Sequence, residues 1–140
     1  MKKFIFLLFP LMLLAASCLD NKTPRIPTDQ NGDEDFAEFM GHFLTDTSFQ
    51  YQRVAFPIKY PASRFDSLHK IGDTVVLTRE NWPLQAPRAE NSNEIRQEMT
   101  RLGNMVTERL TVLNMFYTEM RYLLRDGKWY LIYYSGLQEL

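Results

Sequence analysis

Tyr117-Thr118-Glu119-Met120-Arg121-Tyr122-Leu123-Leu124-Arg125-Asp126-Gly127-Lys128-Trp129-Tyr130-Leu131-Ile132-Tyr133-Tyr134-Ser135 decides the fold. Asp126-Gly127 separates two runs dense in aromatic and aliphatic residues. That dipeptide accepts the positive φ angles of a tight hairpin turn, so Tyr117–Arg125 and Lys128–Ser135 are predicted to pair as antiparallel strands. β-Branched and aromatic residues dominate from Val106 onward, and the C-terminal third reads as an antiparallel meander.

Upstream of this meander the period changes. Phe36, Phe39, Met40, Phe43 and Leu44 recur at i, i+3, i+4, i+7 and i+8, the spacing of one helical face. Asp35 followed by Glu38 has capping-box spacing. Gly41 weakens this helix by about 1 kcal/mol relative to alanine, which suggests close packing at that position. Thr47 and Gln50 repeat the capping-box spacing, with Phe49 extending the apolar face into a short helix that ends near Gln52.

Val54, Phe56, Ile58 and Tyr60 then alternate with Ala55, Pro57 and Lys59, as in a strand, and Pro57 and Pro61 place it at an edge. Gly72-Asp73 turns into a second strand, Thr74–Thr78. Glu80–Asn93 reads as loop, which a buried Trp82 would pin. Ile95, Met99 and Leu102 return to helical spacing between a cap at Asn93 and a stop at Gly103, predicting a helix over Glu94–Leu102. Helices first, then strands ending in a long hairpin, is the order of an α+β domain with helices packed on an antiparallel sheet.

The other end of the chain speaks to location. Lys2 and Lys3 precede an apolar run from Phe4 to Leu14, and Ala15-Ala16-Ser17 leads into Cys18, the one cysteine present. A positive start, an apolar core and small residues before a cut form an export signal. The run is too short to span a bilayer and contains Pro10. Residues 1–17 are therefore expected to be a removed leader and Cys18 the lipidated first residue of the mature chain. Ala15 stands where such signals usually carry leucine, and an ordinary secretory cut near Ala16 is the alternative. Acyl chains contribute roughly 0.8 kcal/mol for each CH₂ buried, which anchors a protein without a membrane-spanning helix. The expected location is the cell envelope, on a bacterial membrane, with the outer membrane favoured and the leaflet left open. Residues 18–35 carry Pro24, Pro27, Gly32 and no apolar period, predicting a flexible tether with a reach of ~55 Å. Residues 36–140 then form a single α+β domain.

Composition excludes several functions. Removing residues 1–17 takes away two lysines and no acid, leaving 14 basic against 17 acidic side chains. Arginines and glutamates are interleaved from Glu94 to Arg125, so no basic patch marks a nucleic-acid partner. With Cys18 acylated, disulfides and thiol catalysis are excluded. Two distant histidines and no HExxH argue against a metal site, and no cofactor is expected. Neither a phosphate-cradling glycine loop nor a GxSxG elbow is present.

Phe36-x-x-Phe39, Asp46-x-x-Phe49-Gln50-x-x-Arg53-Val54-x-Phe56-Pro57 and Gly127-Lys128-Trp129-Tyr130-Leu131 together resemble a family of Gram-negative lipoproteins, domain of unknown function 4348. The similarity runs from Phe36 to Ile132, with clear matches at the two ends and departures between Ala62 and Met105. It implies a nuclear transport factor 2-like cone, in which N-terminal helices pack into a strongly curved antiparallel sheet. It implies no activity. A homodimer through the sheet face is a further implication of such cones.

A cone can hold a pocket between helices and sheet, and the polar or aromatic residues expected near its mouth are His42, Arg53, Trp82, Tyr117, Tyr133 and Tyr134. Arg53 could fork onto a ligand carboxylate, although a structural pair with Asp46 explains it more simply. His42 lies off the centre of its helix's apolar face, which suits a boundary role. Asp46, Asp66 and Asp73 sit at caps or turns, and Met99, Met105, Met115 and Met120 read as core filler. Tyr130, Tyr133 and Tyr134 suit packing in a two-sided sheet as well as recognition. With no catalytic motif visible, the expected function is a non-enzymatic, membrane-anchored binding or assembly module for a small ligand or an envelope protein. The alternative is a small-molecule isomerase or hydrolase using the cone pocket.

Overall fold

The computed structural model describes residues 25–87 and 94–140, so the leader and Cys18 lie outside the described residues. Two helices open the domain, α1 (Phe36–Thr45) and α2 (Thr47–Gln52). Asp35 caps α1 by accepting from the Glu38 amide at 3.0 Å. Asp46, not Thr47, caps α2, accepting from the Phe49 amide at 3.0 Å. The anionic carboxylate suits the exposed amides of a helix start better than a hydroxyl.

β1 (Ile58–Pro61) pairs with β2 (Thr74–Leu77) as a separate two-stranded ribbon. The main sheet runs β3 (Ile95–Leu102), β4 (Met105–Val112), β5 (Phe116–Arg125) and β6 (Lys128–Tyr134) in that order, with the short β7 (Gln138–Glu139) on β5. All its pairings are antiparallel. The β5–β6 hairpin turns at Asp126 and Gly127, which have φ of 51° and 72°.

One face of this sheet buries Val106 and Leu110 of β4, Met120 and Tyr122 of β5, and Trp129 and Leu131 of β6. α1 lies across it with Phe39, Met40 and Phe43 buried. The rings of Phe39 and Phe43 each meet Tyr122 at 5.9 Å, and Phe36 sits edge-on to Trp129 at 4.9 Å. Tilted and edge-on pairs suit the ring quadrupoles and add to the burial.

Further readings of the sequence are corrected. Ile95–Leu102 is a strand, not a helix, with all eight of its residues exposed. The spacing of Ile95, Met99 and Leu102 records no buried face. Gly103-Asn104 instead makes a two-residue connection of the kind that joins strands, and Leu102 pairs with Met105 across it. The expected tether is partly folded. Ile26 is buried, Thr28 bridges Glu34, and the Glu34 amide donates to Gly127 O at 2.9 Å. Asp29 makes the turn by accepting from the amides of Asn31 and Asp33, and Gly32 supplies a φ of 84°. Finally, among the described residues nothing outside the backbone of α1 and the chain neighbours of Gly41 comes within 4 Å of the place its Cβ would occupy, so close packing does not explain that glycine. Met120 is core as expected, whereas Met99 and Met115 are exposed.

Candidate functional site

The folded arm, Arg25–Asp35, brings Glu34 against Arg53, the residue that follows α2. The guanidinium forks onto the carboxylate, Nη2 to Oε1 at 2.6 Å and Nη1 to Oε2 at 3.0 Å. Both residues are 8% exposed. Arg53 Nη1 also donates to Trp129 O at 3.2 Å, and its carbon lies 4.8 Å from the Phe49 ring centre and 5.4 Å from that of Tyr130. Glu34 in turn accepts from the Trp129 amide at 3.0 Å, while its backbone oxygen accepts from Trp129 Nε1 at 2.8 Å. Bidentate geometry and satisfied lone pairs make such a buried pair tolerable, and losing one partner is then costly. Arg53 is therefore a clamp joining arm, α2 and hairpin, with Glu34 rather than Asp46 as its partner.

Beside this clamp is a cleft of about 450 Å³, lined by Ile26, Thr28, Gln52 and Tyr130 and by the charged groups Arg25, Arg53, Lys128, Glu34 and Asp126. Arg25 and Lys128 stand exposed at its rim.

The concave face holds a second polar group. Glu108 is fully buried on the α1 side of β4, accepting from Tyr122 Oη at 3.2 Å and Gln97 Nε2 at 2.7 Å. Composition concealed this residue, but register could have revealed it. Val106, Glu108 and Leu110 alternate on one face, so a strand that buries the valine and leucine buries the glutamate.

The remaining nominated residues do not converge. Trp82 is buried, with Nε1 donating to Gln50 Oε1 at 2.8 Å and its ring 5.5 Å from Tyr134. Gln50 also bonds Phe43 O, Gln85 O and the Gln85 amide, so its amide ties the loop after β2 to the helices. Burial raises the Tyr134 phenol pKa above its ordinary value. Tyr117 and Tyr133 lie on the outer face of the sheet, under the guanidiniums of Arg109 and Arg121 at 4.0 and 4.7 Å. Arg109 Nε is buried there, with no hydrogen-bond partner among the described residues. His42 is half-buried on α1, its ring 5.8 Å from Phe49. Asp66 makes a turn and accepts from His69 Nδ1 at 2.9 Å, and that hydrogen bond lowers its pKa.

Helices lying in the hollow of an antiparallel sheet make this chain similar to a solved "ntf2-like protein" from Bacteroides fragilis. The two are 20% identical with a TM-score of 0.53, over 81% of this chain and 51% of that one. This chain has the nuclear transport factor 2-like fold. It spans about half the length of that solved structure. A protein-family model described as "-like" matches residues 34–139, and the chain belongs to that family. No curated protein matches the sequence. The family match begins at Glu34, the residue on which the arm is clamped.

Proposed function

We propose that this nuclear transport factor 2-like domain is a non-enzymatic binding module of the bacterial cell envelope, held by a lipid on Cys18 and related to the lipoproteins of domain of unknown function 4348. The observation that carries the reading is the cleft beside the Arg53–Glu34 clamp. It is open, it has the exposed cations Arg25 and Lys128 beside one exposed acid, Asp126, and among the described residues its lining includes no histidine, serine or cysteine. Such a lining suits recognition of charge and shape, with Arg25 and Lys128 facing outward beside the paired Arg53 and Glu34. The ligand chemistry that fits is a small anion or an acidic side chain of an envelope protein, attracted by Arg25 and Lys128.

Anchoring and recognition are tested separately. Cys18→Ser should move the protein from the membrane to the soluble fraction, and retention in the membrane would overturn the lipid attachment. For the cleft, citrate and inorganic phosphate serve as anionic probes in a thermal-shift titration. A saturable rise in Tm that Lys128→Ala abolishes supports the site, and no rise, or a rise indifferent to Lys128, counts against it.

Glu108 favours a second reading, an isomerase in which a buried carboxylate beside a tyrosine moves a proton. Turnover of a small substrate that Glu108→Gln abolishes while leaving the fold intact would replace the binding reading.

A further inference from the structure

β3 ends the main sheet, and among the described residues nothing pairs with its outer edge. Sheets commonly blunt their ends with short strands, proline, bulges or charged side chains, and of these β3 carries only the charges of Arg96, Glu98 and Arg101. This strand has eight residues, contains neither proline nor glycine, and pairs with β4 without a break in register. Glu94 O accepts from the Leu113 amide, so the even-numbered residues hydrogen-bond toward β4. Ile95, Gln97, Met99 and Arg101 consequently direct their N–H and C=O groups to the open side. Ile95 and Met99 are 39% and 49% exposed on the concave face, while Arg96 and Glu98 pair with each other at 2.5 Å on the outer face.

The order of these residues selects an occupant. We propose that a second copy of this chain adds its own β3 antiparallel to the first, with the two-fold axis at Gln97, continuing one sheet across both molecules. In that register Arg96 faces Glu98 of the second copy, Glu98 faces Arg96, and Ile95 faces Met99, each contact occurring twice. Shifting the axis to Glu98 sets two carboxylates directly opposite each other, and shifting it to Arg96 opposes two guanidiniums. Like charges directly opposite destabilise a strand pair and opposite charges stabilise it. The charges therefore discourage the neighbouring registers and favour this one, in which the outward N–H and C=O groups also find partners. The interface needs neither the lipid nor the cleft.

The test uses the full-length chain in detergent with Cys18→Ser in every variant, which leaves no native thiol. Directly opposite residues are within disulfide reach, whereas a residue and its own symmetry mate at 96 or 98 lie diagonally apart, roughly 7–8 Å. Mild oxidation should link most of the Arg96→Cys/Glu98→Cys variant into dimers, and either single variant several-fold less. Arg96→Glu should raise the dimer dissociation constant about tenfold with unchanged circular dichroism, and Arg96→Glu/Glu98→Arg should restore it. The interface is overturned if the parent is monomeric in light scattering. A dimer insensitive to Arg96→Glu, or one that cross-links better through Thr107→Cys on the outer face, overturns it equally.

Discussion

The β5–β6 hairpin and the β3 strand belong to one sheet yet have opposite surroundings. α1 lies over the core face of the hairpin, the arm closes its turn through Glu34 and Gly127, and the chain after α2 runs along its side, where Val54 bridges Leu131. Among the described residues β3 has a neighbour on one side only, and its residues are exposed throughout. Burial, rather than strand formation, is what imprints a period on a sequence. The hairpin displays its alternation because one set of its side chains is removed from water. β3 is free to carry a misleading spacing because none of its side chains is.

That contrast predicts unequal costs. Trp129→Ala should destabilise the domain by about 3–5 kcal/mol, because it empties a fully packed site and removes the indole bond to Glu34 O. Met99→Ala, on a half-exposed side chain, should stay within about 0.5 kcal/mol. Denaturant unfolding monitored by circular dichroism measures both. The comparison applies to dilute protein, where β3 is unpartnered, and similar losses at the two positions there would mean that β3 is covered within the monomer.

Next comes the clamp that gives the hairpin its closed end. Arg53→Met leaves the Glu34 carboxylate buried without its cation and should cost about 3–5 kcal/mol. Arg53→Met/Glu34→Gln removes the charge but retains an acceptor for the Trp129 amide, and should recover more than half of the loss. If the double variant is no better than the single one, the guanidinium contributes through packing on Phe49 and Tyr130 rather than through charge.

The legible parts of the fold follow the same division. α1, its Asp35 cap, the Asp126-Gly127 turn and the buried Trp82 could be read directly, because each combines a local signal with burial that repeats it. The arm could not. It has one buried apolar residue, Ile26, and its attachment is an ion pair with a residue 19 positions away, which no local period reports. Arg53 stands out in the sequence with Asp46 as its nearest candidate partner, whereas its actual partner Glu34 lies in a stretch whose prolines and charges average to a tether. Glu108 was missed for a different reason: in a run of polar and aliphatic residues, only the register of β4 distinguishes an inward glutamate from the outward Arg109.

α1 supplies a smaller test on its solvent side. Among the described residues nothing outside the backbone of α1 and the chain neighbours of Gly41 approaches the place its Cβ would occupy, and its backbone is helical, so Gly41→Ala should stabilise the domain by about 1 kcal/mol. A gain of roughly 4–8 °C in Tm would follow for a domain of this size. A loss instead would show that something occupies the exposed side of α1 in solution.

The smallest effect separates the two faces of the sheet at its last strand. Tyr134 is turned toward the Tyr60 and Trp82 rings, whereas Tyr133 lies on the outer face beneath Arg121, and burial raises both phenol pKa values above the ordinary 10.0. A raised pKa means that the folded protein holds the proton more tightly than the unfolded chain. The associated stability is complete below pH 10 and is lost as the pH climbs through the folded-state values. At Tyr133 the nearby Arg121 favours the phenolate and opposes the effect of burial, while at Tyr134 the opposing contribution is a hydrogen bond with Gln85. Tyr134→Phe should therefore flatten the alkaline fall in stability more than Tyr133→Phe does, as measured by urea unfolding between pH 9 and 11. Equal flattening would mean that the outer face is as dry as the inner one, which an exposed sheet face cannot be unless another surface covers it.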